Sequence, residues 1–111
     1  MESFLLVMTT CASREEAAAL ADKLLKVRLI ACANIIPGVH SLFHWRGKID
    51  QADEAILLVK CRKRVFKDLV EWIQTHHSYE VPEILALPVV DGAKEYLEWL
   101  EEETRFTEFD I

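Results

Sequence analysis

The chain has 111 residues, of which 51% are hydrophobic and 29% charged, and its formal net charge is −6. That length suits one domain around a single core, and the apolar-to-charged balance excludes wholesale disorder. The acidic charge has the wrong sign for holding phosphate backbones non-specifically, so no nucleic-acid partner is expected.

The chain starts Met1-Glu2-Ser3, with an acid where a secretory leader needs cations, and its first apolar run stops at Thr9. No stretch reaches the roughly 18 apolar residues of a spanning helix, so no membrane association is expected. Cys11, Cys32 and Cys61 are odd in number, widely spaced and lack a C-x-x-C pair. Free thiols in a reducing compartment fit that pattern better than a disulfide framework, and a cytoplasmic location follows as the expectation.

Phe4-Leu5-Leu6-Val7-Met8 is a continuous apolar run that predicts a central strand buried on both faces. Ser13 followed by Glu16 has the spacing of a capping box, opening a helix whose apolar stripe is Ala17, Leu20, Ala21 and Leu24. From Ala31 the period changes to two. Ala31 to Ile36 and Val39 to Trp45 read as one strand interrupted at Pro37-Gly38, and Arg46-Gly47-Lys48 as the turn of a long hairpin. The return arm runs to about Cys61, with Ala55, Leu57, Val59 and Cys61 on one face and Ile56, Leu58, Lys60 and Arg62 on the other. A second helix carries Phe66, Leu69, Val70, Ile73 and His77. Ile84 to Val90, interrupted by Pro88, reads as an edge or bulged strand. Asp91-Gly92 leads into a third helix with Tyr96, Leu97 and Leu100. The order is α+β and ferredoxin-like, βαββαβ plus a C-terminal helix, with helices against an antiparallel sheet.

The hairpin implies partners. Each arm of about 12 residues extends on the order of 40 Å, whereas the helix from Ser13 to Val27 covers only about 22 Å. Its outer half still carries Leu42, Phe43, Trp45 and Ile49, too apolar to leave in water. Pairing with copies of itself in a closed ring satisfies every edge. A shorter ribbon folded back at Pro37-Gly38 is the alternative. Phe106, Phe109 and Ile111 in the tail, which have no obvious place in a small core, favour the oligomer.

Ala31-Cys32-Ala33-Asn34-Ile35-Ile36-Pro37-Gly38, then Ser41, Phe43 and Trp45-Arg46-Gly47-Lys48, resembles the signature of the CutA divalent-cation-tolerance family. So do His77 to Ile84, Leu87-Pro88-Val89, Gly92 and Tyr96-Leu97-Glu98-Trp99-Leu100. The resemblance spans essentially the whole chain. It implies a ferredoxin-like fold assembled as a homotrimer, similar in architecture to the PII signalling proteins, and an association with tolerance of divalent metals, copper especially. Three positions depart from the family pattern: Ser78 stands where proline is usual, Phe43 where tyrosine is usual, and Thr9 where some copper-binding members carry cysteine.

The candidate metal ligands are His76, His77 and Cys11, with copper or another divalent cation as the ion and no cofactor required. Imidazole suits such ions, although adjacent helical side chains diverge by about 100° and cannot easily chelate one ion. The competing reading is structural: His77 closes the apolar face and His76 complements the helix's negative end. Ligands shared across a trimer interface would complete a site. Cys11, at a strand end, is read as the most accessible thiol, and Cys32 and Cys61 as buried small hydrophobes. His40 and His44, about 13 Å apart along a strand, read as ordinary ribbon positions.

Lys60, Arg62, Lys63, Arg64 and Lys67 crowd the start of the second helix, where cations oppose the helix dipole. An intersubunit network with Glu101, Glu102 and Glu103 is the expected remedy, ahead of a bound phosphate. Tyr79 and Glu83, with Trp45 and Lys60, are expected to line a cleft between subunits. A PII-like regulator or scaffold, binding a small anion or a protein partner there, is the alternative function. The chain has no phosphate-binding glycine loop, H-E-x-x-H or serine elbow, so it is not expected to be an enzyme.

Overall fold

The computed structural model describes residues 2–105. Its strands are β1 (Phe4–Cys11), β2 (Cys32–Trp45), β3 (Lys48–Arg62) and β4 (Ile84–Val89). Its helices are α1 (Arg14–Lys26), α2 (Phe66–His76) and α3 (Lys94–Glu103), with a single 3-10 turn at Lys63–Val65 leading into α2. The sheet order is β2-β3-β1-β4 and every pairing is antiparallel. This is the ferredoxin-like βαββαβ arrangement with an added C-terminal helix. The tail aromatics Phe106 and Phe109 and the terminal Ile111 lie outside the described residues.

Helices α1 and α2 cover one face of the sheet. Leu5, Val7, Thr9 and Cys11 from β1 meet Ala55, Leu57, Val59 and Cys61 from β3, under Ala17, Leu20, Ala21, Leu24, Leu69 and Ile73. Ser13 caps α1 by accepting from the Glu16 N–H at 3.1 Å. Only that half of the expected capping box forms; the Glu16 carboxylate accepts from the Ser78 hydroxyl.

Strand β1 runs three residues beyond Met8 because β3 supplies partners as far as Cys11↔Ala55. It is not buried on both faces. Leu6, Met8 and Thr10 are only half-buried. Register places Leu6 beside Leu87, Met8 between Leu58 and Leu85, and Ile36 opposite Ile56, so these side chains share the face that α1 and α2 do not cover. Helix α3 shields one end of that face, where Phe4 and Leu100 are buried and Lys60 reaches Tyr96. The rest is open, with Leu85 55% and Leu87 60% exposed.

The hairpin is continuous across Pro37-Gly38. Those two residues stand opposite Ala55 alone, between the pairs Ile36↔Ile56 and Val39↔Glu54, and form a β-bulge with Gly38 at φ 69°. Arg46 (φ 50°) and Gly47 (φ 77°) close the far end between Trp45 and Lys48, the positive-φ pair that a two-residue hairpin turn requires. The 14 residues of β2 would extend about 46 Å at about 3.3 Å each, which matches the molecule's longest dimension of 45 Å. Beyond Ala55, β3 has no partner on its β1 side. The ribbon therefore stands clear of the domain, with Leu42 66%, Trp45 56% and Ile49 74% exposed.

Candidate functional site

Where the ribbon leaves the sheet, the loop after α2 folds against it. His77 is the pivot. Its Nε2 lies 2.7 Å from the Thr10 carbonyl, which can only accept, so Nε2 carries the proton. Its Nδ1 accepts from the Tyr79 N–H at 3.0 Å. The ring thus ties the loop to the end of β1, and both nitrogens are occupied. Tyr79 packs against it and donates its hydroxyl to Glu54 of β3 at 2.6 Å. Burial and the Glu54 carboxylate push the Tyr79 phenol well above its ordinary value.

The result is a cleft of about 860 Å³ between ribbon and loop. Phe43, Trp45 and Tyr79 supply aromatic surface, and Asp50, Glu54, Glu80 and Glu83 supply carboxylates. Trp45, Tyr79 and Glu83 come together within one chain. Lys60 does not join them: its ammonium donates to Tyr96 Oη at 3.1 Å, Asn34 Oδ1 at 3.3 Å and Cys32 Sγ at 3.6 Å, under α3. The Tyr96 hydrogen bond is the main cause raising the Lys60 pKa.

A second, smaller cavity of about 140 Å³ brings His76, His77 and Cys11 together with Glu16, Lys23 and Ser78. His76 stacks on Trp72 and donates Nδ1–H to the Trp72 carbonyl at 2.8 Å. Its Nε2 lone pair has no partner among the described residues. Cys11 is not the accessible thiol expected, because β1 extends past it and the core closes over it to 2% exposure. Burial, then the charges of Glu16 and Glu54, push its pKa up to about 11. Cys61 is buried as expected, whereas Cys32 is half-buried beside Lys60; all three thiols are free. Among the described residues no group of three His, Cys, Asp or Glu side chains could hold a metal ion. Of the two histidines lining this cavity, only His76 keeps an open ring nitrogen among the described residues.

Two members of the basic cluster, Arg62 and Arg64, are paired within the chain. Glu2 pairs with Arg64 at 2.7 Å and Arg62 at 3.5 Å, and Arg62 also donates to Thr104 Oγ1 and the Glu101 carbonyl. The Glu103 carboxylate is taken by Arg28 at 3.1 Å. These partners lie within the chain, so Arg62 and Arg64 need no neighbour.

The family model of the CutA1 divalent ion tolerance protein matches residues 5–103. The chain belongs to the CutA1 family. It is 39% identical over 101 residues to a protein of Arabidopsis thaliana named "Protein CutA, chloroplastic". That match covers 91% of this chain but only 56% of the plant protein. It is 44% identical over 98 residues to the "Divalent-cation tolerance protein CutA" of Thermus thermophilus, covering 88% of this chain and 95% of that one. The crystal structure of CutA1 from Oryza sativa superposes with a TM-score of 0.92 at 36% identity, covering 95% of this chain and 96% of the other.

Within this CutA1 fold, several cleft and cavity residues carry no local signal in the sequence. Glu54 lies 25 positions from Tyr79, and Glu16 lies 62 from Ser78. Only the sheet register and the α1–loop contact bring them together. Among the described residues no helix is long and apolar enough to cross a membrane.

Proposed function

We propose that the protein is a cytoplasmic homotrimer that binds or responds to divalent metal ions, copper first, with His76 as a ligand. Support for the metal comes from one observation: His76, whose Nε2 has no partner among the described residues, lines a cavity together with Glu16 and Cys11. Imidazole nitrogen suits Cu(II), and a single open ligand calls for donors from a neighbouring subunit. His77 is a positioning residue in this reading, since both its nitrogens hold the loop. Cys11 could join only if the core opened.

The homotrimer is supported by the bare sheet face around Leu58, Leu85 and Leu87 and by the uncovered ribbon. An apolar surface of that extent on one chain is the mark of an interface. A second reading, a PII-like scaffold, is favoured by the cleft of Trp45, Tyr79 and Glu83. Its four carboxylates oppose a small anion there, so a partner protein is the form that survives. No catalytic step belongs to either reading.

Calorimetric titration with Cu(II) tests the first. His76→Ala is expected to weaken binding by about tenfold or more, while His77→Ala lowers stability by releasing the loop. Equal affinity in wild type and His76→Ala, or none tighter than micromolar in wild type, overturns the metal site.

A further inference from the structure

The three thiols differ in access and in company. Cys11 and Cys61 lie in the core, 2% and 1% exposed. Cys32, the first residue of β2, is half-buried, and its direct cross-strand partner is Lys60. Residues directly opposed in a ladder share a face with their Cβ atoms about 5 Å apart, so register alone sets this pair side by side. Lys60 Nζ lies 3.6 Å from Cys32 Sγ.

Lys60 is held there as a cation. Tyr96 Oη accepts from it at 3.1 Å and Asn34 Oδ1 at 3.3 Å, and the Tyr96 hydrogen bond is the main cause raising its pKa. Thiolates, not thiols, attack peroxides, and reactive ones sit beside cations. Neither residue takes part in the metal reading above.

We propose that Cys32 and Lys60 are an oxidant-sensitive pair, which hydrogen peroxide joins through a sulfenamide bond between Sγ and Nζ. The Cys32 thiolate attacks one peroxide oxygen and the O–O bond breaks. Sulfur is oxidised to a sulfenic acid and the peroxide is reduced. The leaving hydroxide takes a proton from the Lys60 ammonium and departs as water. That transfer leaves a neutral amine beside the new sulfenic acid, so the protonated state of Lys60 is no obstacle. The amine nitrogen then attacks sulfur: the S–N bond forms, the S–O bond breaks, and the hydroxyl leaves as water with a proton from nitrogen. One thiol, one amine and one peroxide thus give one sulfenamide and two waters. Sulfenic acids condense with a neighbouring thiol or nitrogen, and the other two thiols are buried away from this one. The lysine stem is flexible enough to close the gap. The reaction needs a small diffusible oxidant rather than a bound ligand, and its product staples β2 to β3 at the first pair of their ladder.

The test exposes the intact, assembled protein to hydrogen peroxide with a chelator present, then denatures it and alkylates the remaining thiols. Mass spectrometry of wild type is expected to find Cys11 and Cys61 alkylated and Cys32 protected. The Cys32 peptide should be joined to the Lys60 peptide, lighter than the two together by two hydrogens, and dithiothreitol should separate them. Lys60→Arg keeps the cation but not the amine, and should collect Cys32 acids, heavier by one or more oxygens, with no link. Lys60→Met removes the cation and should slow Cys32 oxidation by about tenfold or more. Circular dichroism confirms that each variant is folded, and the wild-type link decides the matter if either is not. An unreacted Cys32 in the assembled wild type would overturn the proposal. So would Cys32 acids that persist beside an unmodified Lys60, or oxidation of Lys60→Met at the wild-type rate.

Discussion

His40 on β2 faces Asp53 on β3 as a direct cross-strand pair. Its Nδ1 lies 2.9 Å from Asp53 Oδ1 and its Nε2 2.7 Å from Gln51 Oε1. Both oxygens accept, so both bonds form fully only when the ring carries two protons. The Asp53 hydrogen bond first, and then the Gln51 one, raise the His40 pKa above its ordinary 6.5. A raised folded-state value means that the contribution to stability is complete below about pH 6.5 and fades as pH climbs through the folded value. An NMR titration should place the His40 midpoint above 6.5 and show it falling in Asp53→Asn. A midpoint indifferent to that substitution would contradict the pairing. Reading His40 as an ordinary ribbon residue missed this, because the partners lie 13 and 11 positions away across the hairpin. The same distance problem hid the burial of Cys11: a residue just past an apolar run looks exposed until its neighbour strand proves long enough to cover it.

At the scale of elements, the ribbon is the feature that local sequence described best and least completely. Alternation from Ala31 onward and the Arg46-Gly47 turn are local signals, and both strands and the turn follow from them. The bulge was not legible as a bulge, since Pro37-Gly38 reads equally as a break until Ala55 is seen opposite both residues. Gly38 holds φ 69°, and a Cβ built there would meet nothing within 4 Å. Any cost of a side chain is therefore backbone strain alone. Gly38→Ala should destabilise the protein by about 1–2 kcal/mol, read from denaturant unfolding at fixed protein concentration. An unchanged midpoint would mean that the bulge relaxes to another conformation. The candidate cleft was half legible. Trp45, Tyr79 and Glu83 were recognisable as a set, but its acidity was not, because Asp50 and Glu54 sit on a strand whose register only the fold supplies. Lys60 stays apart from that set within one chain, under Tyr96: alternation puts it on the open face of β3 but does not say that α3 folds over it.

For the whole molecule, the unpartnered surfaces lie on one face and one arm. The helix-covered face is closed, with Leu24, Leu29, Leu57 and Leu69 fully buried. The other face leaves Ile36, Leu85 and Leu87 in solvent, and the ribbon adds Leu42, Trp45 and Ile49. A free strand edge along the outer part of β3 completes a surface made for another copy. The most direct test is the mass in solution, by light scattering at low protein concentration with circular dichroism to confirm folding. The account predicts a particle of about three times the 12.8 kDa chain, which Leu85→Lys/Leu87→Lys should dissociate or unfold. A folded, stable 12.8 kDa monomer would contradict it.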